Sequence, residues 1–243
     1  MIKLSVVIPA YNEAGRIGPT LGRIAEHLGG LGLEYEIVVV DDGSGDETRA
    51  VVQEAAKDIP ALRLVANGVN RGKGFSVKTG FLHSTGELAL VSDADLSTPI
   101  EELSRFLPEI EGGADIVIGS RALEDSDIIR RQPIHRMLMG KTFNRLVRLL
   151  GVRGISDTQC GFKLFRRETC LPIFRALRVE RFAFDVELLF LAERKGLRIV
   201  ERPVRWTNSP YSKVRVIRDS ARMLSDVIRI RLRALAGGYD TLS

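Results

Sequence analysis

The sequence is poor in cysteine and tryptophan and has no long uninterrupted apolar run. It holds two cysteines and one tryptophan among 243 residues. Cys160 and Cys170 stand apart from any cluster of His or Cys, which excludes a disulfide scaffold and the usual zinc-site spacing, so both are expected to be reduced and packed. No segment reaches the roughly 18 to 20 consecutive apolar residues of a membrane-spanning helix. Any contact with a membrane is therefore expected to be peripheral.

The N-terminal residues also lack the features of a secretory leader. Such a leader has a basic start followed by an apolar stretch. Here the first apolar run is broken by Pro9, Tyr11, Asn12 and Glu13. We therefore expect a cytoplasmic protein.

The composition is that of a folded protein. Apolar residues make up 44% and charged residues 28% of the chain, which excludes a disordered or collagen-like sequence. A chain of this length buries roughly 70 to 75% of its unfolded surface, enough for one large α/β domain or two small ones.

Charge is distributed unevenly along the chain. Residues 1–127 contain 11 Lys and Arg against 21 Asp and Glu, whereas residues 128–243 contain 25 against 10. The isoelectric point near 9.4 would by itself suggest nucleic-acid binding. An acidic half joined to a basic half instead suggests two tasks on one molecule, with a boundary in the charged segment Leu123–Arg131.

Apolar and amphipathic segments alternate in the acidic half, which is typical of βα units on a mostly parallel sheet. The predicted strands are Ile2–Ile8, Tyr35–Val40, Leu62–Ala66, Leu88–Ser92 and Asp115–Ser120. The predicted helices are Arg16–Leu28, Glu47–Lys57, Lys73–Ser84 and Ile100–Ile110.

Polar segments follow three of the predicted strands: Pro9–Glu13, Asp41–Ser44 and Asp93–Asp95. Open α/β sheets bind ligands at the carboxyl ends of their strands, so we expect the chemistry there. The alternative for Asp42-Gly43-Ser44 is a turn with a helix cap, because these residue types are favoured in turns for backbone reasons alone.

The pair Asp93 and Asp95 directly follows the apolar run of a predicted central strand. Two such carboxylates can converge on a hard divalent cation whose other ligands are waters and phosphate oxygens. The alternative is a pair of exposed turn acids, but the position after a central strand favours metal binding.

A glycine-rich turn, Asn70–Gly74, precedes the third predicted helix. Its backbone amides and the cation Lys73 suit a phosphate at a helix N-terminus. It is not a P-loop, because the glycine spacing is too short and Gly74 stands where Ser or Thr would bind magnesium. A tight turn that needs positive φ at its glycines is an equally good interpretation.

The order of these segments resembles that of a known enzyme family. The first-half segments that carry the resemblance are Ser5–Glu13, Val40–Ser44, Arg71–Gly74 and Asp93–Asp95. In order and spacing they are similar to the motifs of family 2 glycosyltransferases. Two later segments, Asp157–Phe165 and Phe184–Leu189, resemble the dolichyl-phosphate β-glucosyltransferases.

The resemblance implies an α/β, GT-A fold with a Rossmann-like, mostly parallel central sheet flanked by helices and a basic C-terminal helical region. Within one such domain, residues 1–127 would form the nucleotide-sugar half. Residues 128–243 would form the half that receives the acceptor and its lipid phosphate.

The resemblance also implies roles for single residues. Those expected to hold the nucleoside are Pro9, Tyr11, Glu13, Val40 and Asp42. Those expected at the diphosphate and its Mg²⁺ or Mn²⁺ ion are Asp93, Ala94 and Asp95. Contacts with the donor's phosphates are expected from Arg121 and Lys213, with Lys73 as a further candidate. Related mannosyltransferases often have a Gln metal ligand where Ser97 stands here, so this chain departs from their pattern at that position.

The implied reaction moves a hexose from a UDP-sugar to a polyprenyl phosphate with inversion at the anomeric carbon. A metal ion and basic side chains would stabilise the departing diphosphate. A phosphate monoester is largely anionic at pH 7, so a general base is optional. Asp157 and Asp185 are the candidates for such a base. The equally good alternative for each is a local cap or an ion pair.

Two basic, partly apolar segments suit an anionic membrane surface. One lies between Asp127 and Asp157 and contains seven cations and no acidic residue. The other is an amphipathic C-terminal segment. Its arginines are Arg215, Arg218, Arg222, Arg229 and Arg233, and its apolar stripe is Ile217, Ala221, Leu224, Ile228 and Leu235. A core-facing helix with a solvated basic face is the alternative, but two such segments favour peripheral binding to the cytoplasmic face of a membrane.

Three rival functions remain. A GDP-mannose-dependent polyprenyl-phosphate mannosyltransferase would share the fold, and only the segment Phe184–Leu188 favours the UDP-sugar branch. A nucleic-acid-binding module would use the basic half, but no stacking platform or reading motif supports it, so no nucleic-acid partner is expected. A nucleotide-sugar binder without activity is opposed by the intact pair Asp93 and Asp95.

Overall fold

Strands and helices alternate through the parts of the chain described in this computed structural model, residues 2–130, 152, 154–208 and 216–240. The strands are β1 (Leu4–Ala10), β2 (Tyr35–Asp41), β3 (Leu62–Ala66), β4 (Leu88–Val91), β5 (Ile116–Ser120), β6 (Ile128–Arg130), β7 (Lys163–Arg166), β8 (Ile199–Pro203) and β9 (Trp206–Thr207). The α-helices are α1 (Ile17–Gly30), α2 (Thr48–Asp58), α3 (Lys73–His83), α4 (Leu103–Glu111), α5 (Arg167–Ala176), α6 (Phe184–Arg194) and α7 (Val216–Leu235).

Seven strands form the main sheet in the order β3-β2-β1-β4-β7-β5-β8. All neighbouring pairs are parallel except those of β7, which runs antiparallel between β4 and β5. The chain order reverses between β1 and β4, which creates a crevice at the carboxyl ends of these two strands. The central position predicted for the strand Leu88–Ser92 and the α/β class are both confirmed.

The predicted elements are all present, with shifts at their ends. Strand β3 coincides with its prediction, whereas β1 begins and ends two residues later than predicted. It continues through Pro9 because its parallel ladder with β2 runs on to the pair Ala10 and Asp41. The helix predicted from Ile100 opens with a single 3₁₀ turn, Ile100–Glu102, before α4 begins.

The core lies on both faces of the main sheet. Alternate residues of β1 point to opposite faces, so Val6 and Ile8 pack on one side while Val7 packs on the other. Helices α1, α2 and α4 cover the first face, and α3, α5, α6 and α7 cover the second. Because β1 is buried on both faces, its sequence is an apolar run rather than an alternating pattern.

Strands from both sides of residue 128 share the main sheet. Strand β7 pairs with β4 and β5, and β8 pairs with β5. A small second sheet joins β6 to β9 through the pair Ile128 and Trp206. The proposed division into halves 1–127 and 128–243 therefore lies within one interwoven sheet, and their separate tasks stay a prediction.

The two cysteines are free and buried, as predicted. Burial raises the pKa of both thiols above the usual value, so neither is a reactive thiolate at neutral pH. Among the described helices, none combines the length and the apolar composition needed to cross a bilayer.

Candidate active site

Backbone strain marks the two strand ends that border the crevice. Among the described residues, the non-glycine positions with positive φ are Asn12, at 53°, and Leu96, at 45°. Asn12 follows β1 and Leu96 follows β4. Such conformations are costly and cluster at functional sites, where surrounding contacts hold them in place.

Side chains tie the loop after β1 to the loop after β2. The Asn12 amide donates to Ser44 Oγ at 2.9 Å, and the Gly45 amide donates back to Asn12 Oδ1 at 2.8 Å. Gly43 has a φ of 72°, in agreement with the turn interpretation of this segment. Ser44 does not cap α2, because the helix has no side-chain cap hydrogen bond at its N-cap residue Glu47, and it is Asp46 that accepts from the Thr48 amide, at 3.1 Å.

The residues expected to hold the nucleoside lie along this rim at different depths. Pro9 is half-buried, Tyr11 is exposed and Glu13 is buried. Val40 is fully buried, and its side chain packs against Gly80 of α3, so a nucleoside contact at this position would have to come from its backbone. Tyr11, at 39%, is thus the most exposed member of this group.

Asp42 is buried and holds the glycine-rich turn. Its carboxylate accepts from the backbone amides of Arg71 at 3.0 Å and Gly72 at 2.7 Å, and from Asn67 Nδ2 at 2.9 Å. Both carboxylate oxygens of Asp42 therefore already accept hydrogen bonds from groups of the protein. Asp42 therefore positions the turn beside the nucleoside site, whatever further contact it makes with a ligand.

The turn itself is built so that Lys73 begins α3 facing the crevice. Gly72 has a φ of 113°, and a Cβ there would come within 2.6 Å of the Glu180 carbonyl oxygen. Positive φ and close approach both require glycine. The tight-turn interpretation is therefore correct for Gly72, and the turn places Lys73 at the start of α3.

Asp93 and Asp95 lie together just beyond β4, each beside a cation. Asp93 Oδ1 is 2.6 Å from Lys73 Nζ, and Asp95 Oδ2 is 3.7 Å from an Arg16 guanidinium nitrogen. The Ser97 amide donates to Asp95 Oδ1 at 3.0 Å. Burial raises the pKa of Asp93, but Lys73 and more distant cations outweigh it and leave the pKa below its ordinary value. Asp93 is therefore ionised at neutral pH.

The backbone around the pair fixes its orientation. Ala94, between the two carboxylates, accepts from Thr20 Oγ1 of α1 at 2.8 Å through its carbonyl oxygen. Gly161 lies against Asp93, and a Cβ at that position would stand 2.5 Å from Asp93 Cγ. A glycine is required there, because any side chain would displace the carboxylate.

The donor set fits a hard divalent cation that shares a bound diphosphate. Carboxylate oxygens are the protein ligands that Mg²⁺ and Mn²⁺ prefer, and such ions keep several positions for water and phosphate. Within the described residues, no group of three or more His, Cys, Asp and Glu side chains gathers as a metal site. The pair Asp93 and Asp95 would therefore hold a metal only with oxygens from a bound ligand or water.

Arg121 and Asp157 form a bidentate ion pair, and Arg121 also acts electrostatically on Asp93. Arg121 Nε donates to one carboxylate oxygen of Asp157 at 2.6 Å, and a second guanidinium nitrogen donates to the other at 2.9 Å. Burial raises the pKa of Asp157, but Arg121 more than offsets this, and the pKa falls below the ordinary value. Asp157 is consequently a weak base at neutral pH.

Glu201 of β8 holds the loop that carries Asp157. Its carboxylate accepts from the Ser156 amide at 2.9 Å and from the Asp157 amide at 2.8 Å. Asp157 in turn accepts hydrogen bonds from Arg121. Glu201 of β8 therefore positions the arginine indirectly, through Asp157.

Asp185 lies in a second buried ion pair, at the start of α6. Lys163 Nζ donates to Asp185 Oδ1 at 2.6 Å and also to the Cys160 carbonyl oxygen. Burial raises the pKa of Asp185 more than Lys163 and Lys73 lower it, so the pKa lies above the ordinary value. Both candidate bases are thus engaged by cations, and their role in proton transfer stays a prediction.

Comparisons with known proteins identify the family of this chain. The family model described as glycosyl transferase family 2 matches residues 5–173. The chain belongs to this family. The glycosyltransferase is 41% identical to the dolichyl-phosphate beta-glucosyltransferase of Dictyostelium discoideum, with 97% of this chain and 76% of that protein aligned. It is 37% identical to the Homo sapiens enzyme of the same name, with 98% and 77% aligned.

Solved structures show the GT-A fold of this glycosyltransferase. Glucosyl-3-phosphoglycerate synthase from Mycobacterium tuberculosis, in complex with Mn²⁺, UDP-glucose and phosphoglyceric acid, superposes with a TM-score of 0.70 at 19% identity, covering 97% of this chain and 80% of that chain. Mannosyl-3-phosphoglycerate synthase from Rubrobacter xylanophilus gives 0.66 at 20% identity, covering 98% and 75%. The predicted fold class is confirmed; the predicted basic character of the C-terminal region is not tested by these matches.

Sequence reasoning missed four residues at the site of this glycosyltransferase. They are Arg16, Gly161, Lys163 and Glu201. Lys163 had a readable signal, because a lysine inside the apolar run from Phe162 to Phe165 needs a buried partner. The contacts of Arg16 with Asp95 and of Glu201 with Asp157 had none, since each joins segments far apart along the chain.

One predicted donor contact of the glycosyltransferase, Lys213, lies outside the described residues, as does most of the basic segment between Asp127 and Asp157. Their assigned roles therefore rest on the sequence alone.

Proposed function

We propose that this glycosyltransferase transfers glucose or a related hexose from a UDP-sugar to a polyprenyl phosphate of the dolichyl type, with inversion at the anomeric carbon. The observation that carries the proposal is the meeting of Asp93, Asp95, Lys73 and Arg121 in one crevice of a chain 41% identical to a dolichyl-phosphate beta-glucosyltransferase. Anionic ligands for a metal and cations for phosphate are the two requirements of a diphosphate leaving group.

The donor's diphosphate would lie between the ends of β4 and β5. Asp93 and Asp95 would hold a Mg²⁺ or Mn²⁺ ion, which when bound neutralises charge on the departing diphosphate. Lys73 and Arg121 would donate to its phosphate oxygens. Arg121 is already oriented by Asp157, so it loses little freedom on binding, and its planar guanidinium suits a phosphate.

The nucleoside would lie on the rim formed after β1 and β2. Tyr11 offers an exposed ring for contact with the base, and Pro9 and Glu13 border it. Asp42 supports this rim by holding the amides of Arg71 and Gly72. The proposed preference for UDP over GDP rests on the resemblance of the segment Phe184–Leu188 to the dolichyl-phosphate β-glucosyltransferases. The panel of donors described below tests it.

The acceptor phosphate needs little chemical activation. A phosphate monoester has a second pKa near 6, so its oxygen is largely anionic at neutral pH. Asp157 is held by Arg121 and Asp185 by Lys163, which suits positioning and charge balance better than proton removal. We therefore propose attack by the acceptor oxygen without an obligatory general base.

The acceptor's lipid chain requires contact with a membrane, and α7 offers a suitable face. Val227 and Ile230 pack into the core, whereas Ile228, Leu232 and Leu235 are 46%, 60% and 82% exposed. These three lie at i, i+4 and i+7, on one stripe of the helix.

Charge next to this exposed stripe favours an anionic lipid surface as its occupant. Arg222 and Arg229 are exposed on α7, and each cation near an anionic bilayer contributes about 1 kcal/mol to binding. The helix also lies near the crevice, because Arg181 acts electrostatically on Asp226 of α7 and packs at the Gly72 turn. We propose that the stripe contacts the cytoplasmic face of a membrane.

A panel of donors and acceptors tests the proposed function. The purified protein is incubated with UDP-glucose, UDP-N-acetylglucosamine or GDP-mannose, each with polyprenyl phosphate or 3-phosphoglycerate and with Mg²⁺ or Mn²⁺. The expected product is a glycolipid formed from a UDP-hexose, with the β configuration when an α-linked donor is used. Transfer only from GDP-mannose, or only to 3-phosphoglycerate, would overturn the proposed donor or acceptor.

A further inference from the structure

Asp93 and Asp95, the two candidate metal ligands, are each already paired with a basic side chain of the protein. Lys73 Nζ lies 2.6 Å from Asp93 Oδ1, and an Arg16 guanidinium nitrogen lies 3.7 Å from Asp95 Oδ2. A divalent ion at this pair would take up the same carboxylate oxygens. The cations and the metal therefore compete for one set of ligands.

The two cations are anchored close to the crevice by other contacts. Lys73 follows the turn that Asp42 holds through the amides of Arg71 and Gly72. Arg16 also donates to Glu13, with one bond of 2.9 Å to Oε1. The turn holds the backbone before Lys73 and Glu13 holds the Arg16 side chain, so each charge stays at the rim when its ion pair with Asp93 or Asp95 breaks.

The pair Lys73–Asp93 is open enough to rearrange. The side chains of Lys73 and Asp93 are 21% and 36% exposed. By contrast, the side chains of Lys163 and Asp185 are 2% and 5% exposed, and Lys163 is held by a second bond to the Cys160 carbonyl. A lysine ammonium on its flexible stem can turn from a carboxylate to a nearby phosphate at small cost when water reaches it.

We propose that Lys73 and Arg16 are resident counter-ions that occupy Asp93 and Asp95 before the donor binds. On donor binding the carboxylates exchange these cations for the divalent ion, and Lys73 and Arg16 turn to the donor's phosphates. The proposal rests on the proposed use of a nucleoside diphosphate donor and assigns a regulatory role to residues of that same site.

The exchange couples metal binding to nucleotide binding. Without a diphosphate, a metal ion must displace Lys73 and Arg16 with no new partner for them, so its affinity is low. With a diphosphate, the displaced cations gain phosphate contacts. Because such coupling is reciprocal, the metal must raise nucleotide affinity by the same factor. The site would then bind metal and donor together rather than either alone.

Mn²⁺ binding, measured by calorimetry or by electron paramagnetic resonance with and without UDP, tests the exchange. In the wild type, UDP should tighten the Mn²⁺ Kd at least about fivefold, in the range of typical coupling. Lys73→Met should tighten the Kd measured without UDP and reduce the UDP effect, because the competing cation is gone. Arg16→Met should do the same to a smaller degree, since Arg16 is farther from its carboxylate and shared with Glu13.

Lys57→Met is the matched control. It makes the same change of charge and side chain in an exposed ion pair with Glu54 near the end of α2, which runs away from the crevice. It should leave both Mn²⁺ constants unchanged. Lys73→Gln is the second variant if Lys73→Met does not give a cooperative thermal transition.

The inference is overturned if folded Lys73→Met and Lys73→Gln bind Mn²⁺ without UDP no more tightly than Lys57→Met, or if wild type shows no UDP effect on the Mn²⁺ Kd. These outcomes are separate from failure of the proposed function, which is measured by transfer to lipid phosphate. If the protein transfers hexose but UDP does not change the Mn²⁺ Kd, the proposed function stands and the proposed exchange of cations is wrong.

Discussion

Arg121 donates two hydrogen bonds to Asp157, one to each carboxylate oxygen, at 2.6 and 2.9 Å. The Arg121 amide adds a third, at 3.0 Å to Asp157 Oδ2. Arg121 directly follows β5 and Asp157 begins the later segment Asp157–Phe165, so the pair joins two segments that are far apart in sequence. The geometry favours Asp157 as a positioning residue for Arg121.

Replacing Asp157 with Asn should weaken donor binding more than it slows turnover. The asparagine keeps the shape but loses a charged hydrogen bond, which contributes about 1.5 kcal/mol, so KM for the UDP-sugar should rise about tenfold. Steady-state kinetics with varied donor measures this. Asp240→Asn, in the exposed pair with Arg194, is the matched control and should leave KM unchanged. A large loss of kcat with KM unchanged would instead support Asp157 as the general base.

The same pair should make stability depend on pH in the acid range. The pKa of Asp157 is lowered in the folded protein, so its ionised form stabilises the fold above the unfolded pKa of about 3.9, and this contribution is lost as pH falls through the folded pKa. Urea unfolding at a series of pH values measures the slope. The free energy of unfolding of wild type should fall more steeply below about pH 4 than that of Asp157→Asn. Parallel curves for the two proteins would contradict the lowered pKa.

Gly161→Ala should displace the Asp93 carboxylate and so reduce activity. A Cβ at this position would stand 2.5 Å from Asp93 Cγ, so the carboxylate must move. A displacement of this kind should reduce transfer by roughly 100-fold. Gly22→Ala is the control, because no atom lies within 4 Å of a Cβ there and alanine is favoured in helix α1. Equal activities of the two variants would mean that the loop at Gly161 accommodates the added methyl group without displacing Asp93.

The exposed stripe of α7 should carry membrane binding. Leu232→Glu places a negative charge in the stripe and should reduce flotation with vesicles of phosphatidylcholine and phosphatidylglycerol at low salt, with little change in Tm because Leu232 is exposed. Leu31→Glu, at the exposed end of α1, is the control and should float like wild type. Wild-type protein that stays with the soluble fraction would refute the proposed surface.

The sequence predicted the first half of the fold well because its signals are local. The buried strand Leu62–Ala66 and the acids after β4 can be predicted from hydrophobic runs and from the polar residues that end them. The antiparallel insertion of β7 could not be read, since it depends on which strands a distant segment pairs with. Boundaries shifted where a ladder extended a strand, as at Pro9 and Ala10.

At the site, the sequence predicted residue types better than their partners. Asp93, Asp95, Lys73 and Arg121 were all expected at the donor's phosphates, and all four lie around one crevice. The pairing of Lys73 with Asp93 and the support of Asp157 by Glu201 join segments 20 and 44 residues apart in sequence. Such contacts are set by tertiary packing, which no local pattern records.

The most direct test of the account is hexose transfer from UDP-glucose to polyprenyl phosphate by wild type, Asp95→Asn and Asp58→Asn. Asp58→Asn makes the same chemical change at the exposed end of α2, away from the crevice. We predict glycolipid product from wild type and Asp58→Asn and a loss of roughly 100-fold or more in Asp95→Asn, because the carboxylate charge at the diphosphate site is gone. Full activity of folded Asp95→Asn, or no glycolipid from wild type, would contradict the account.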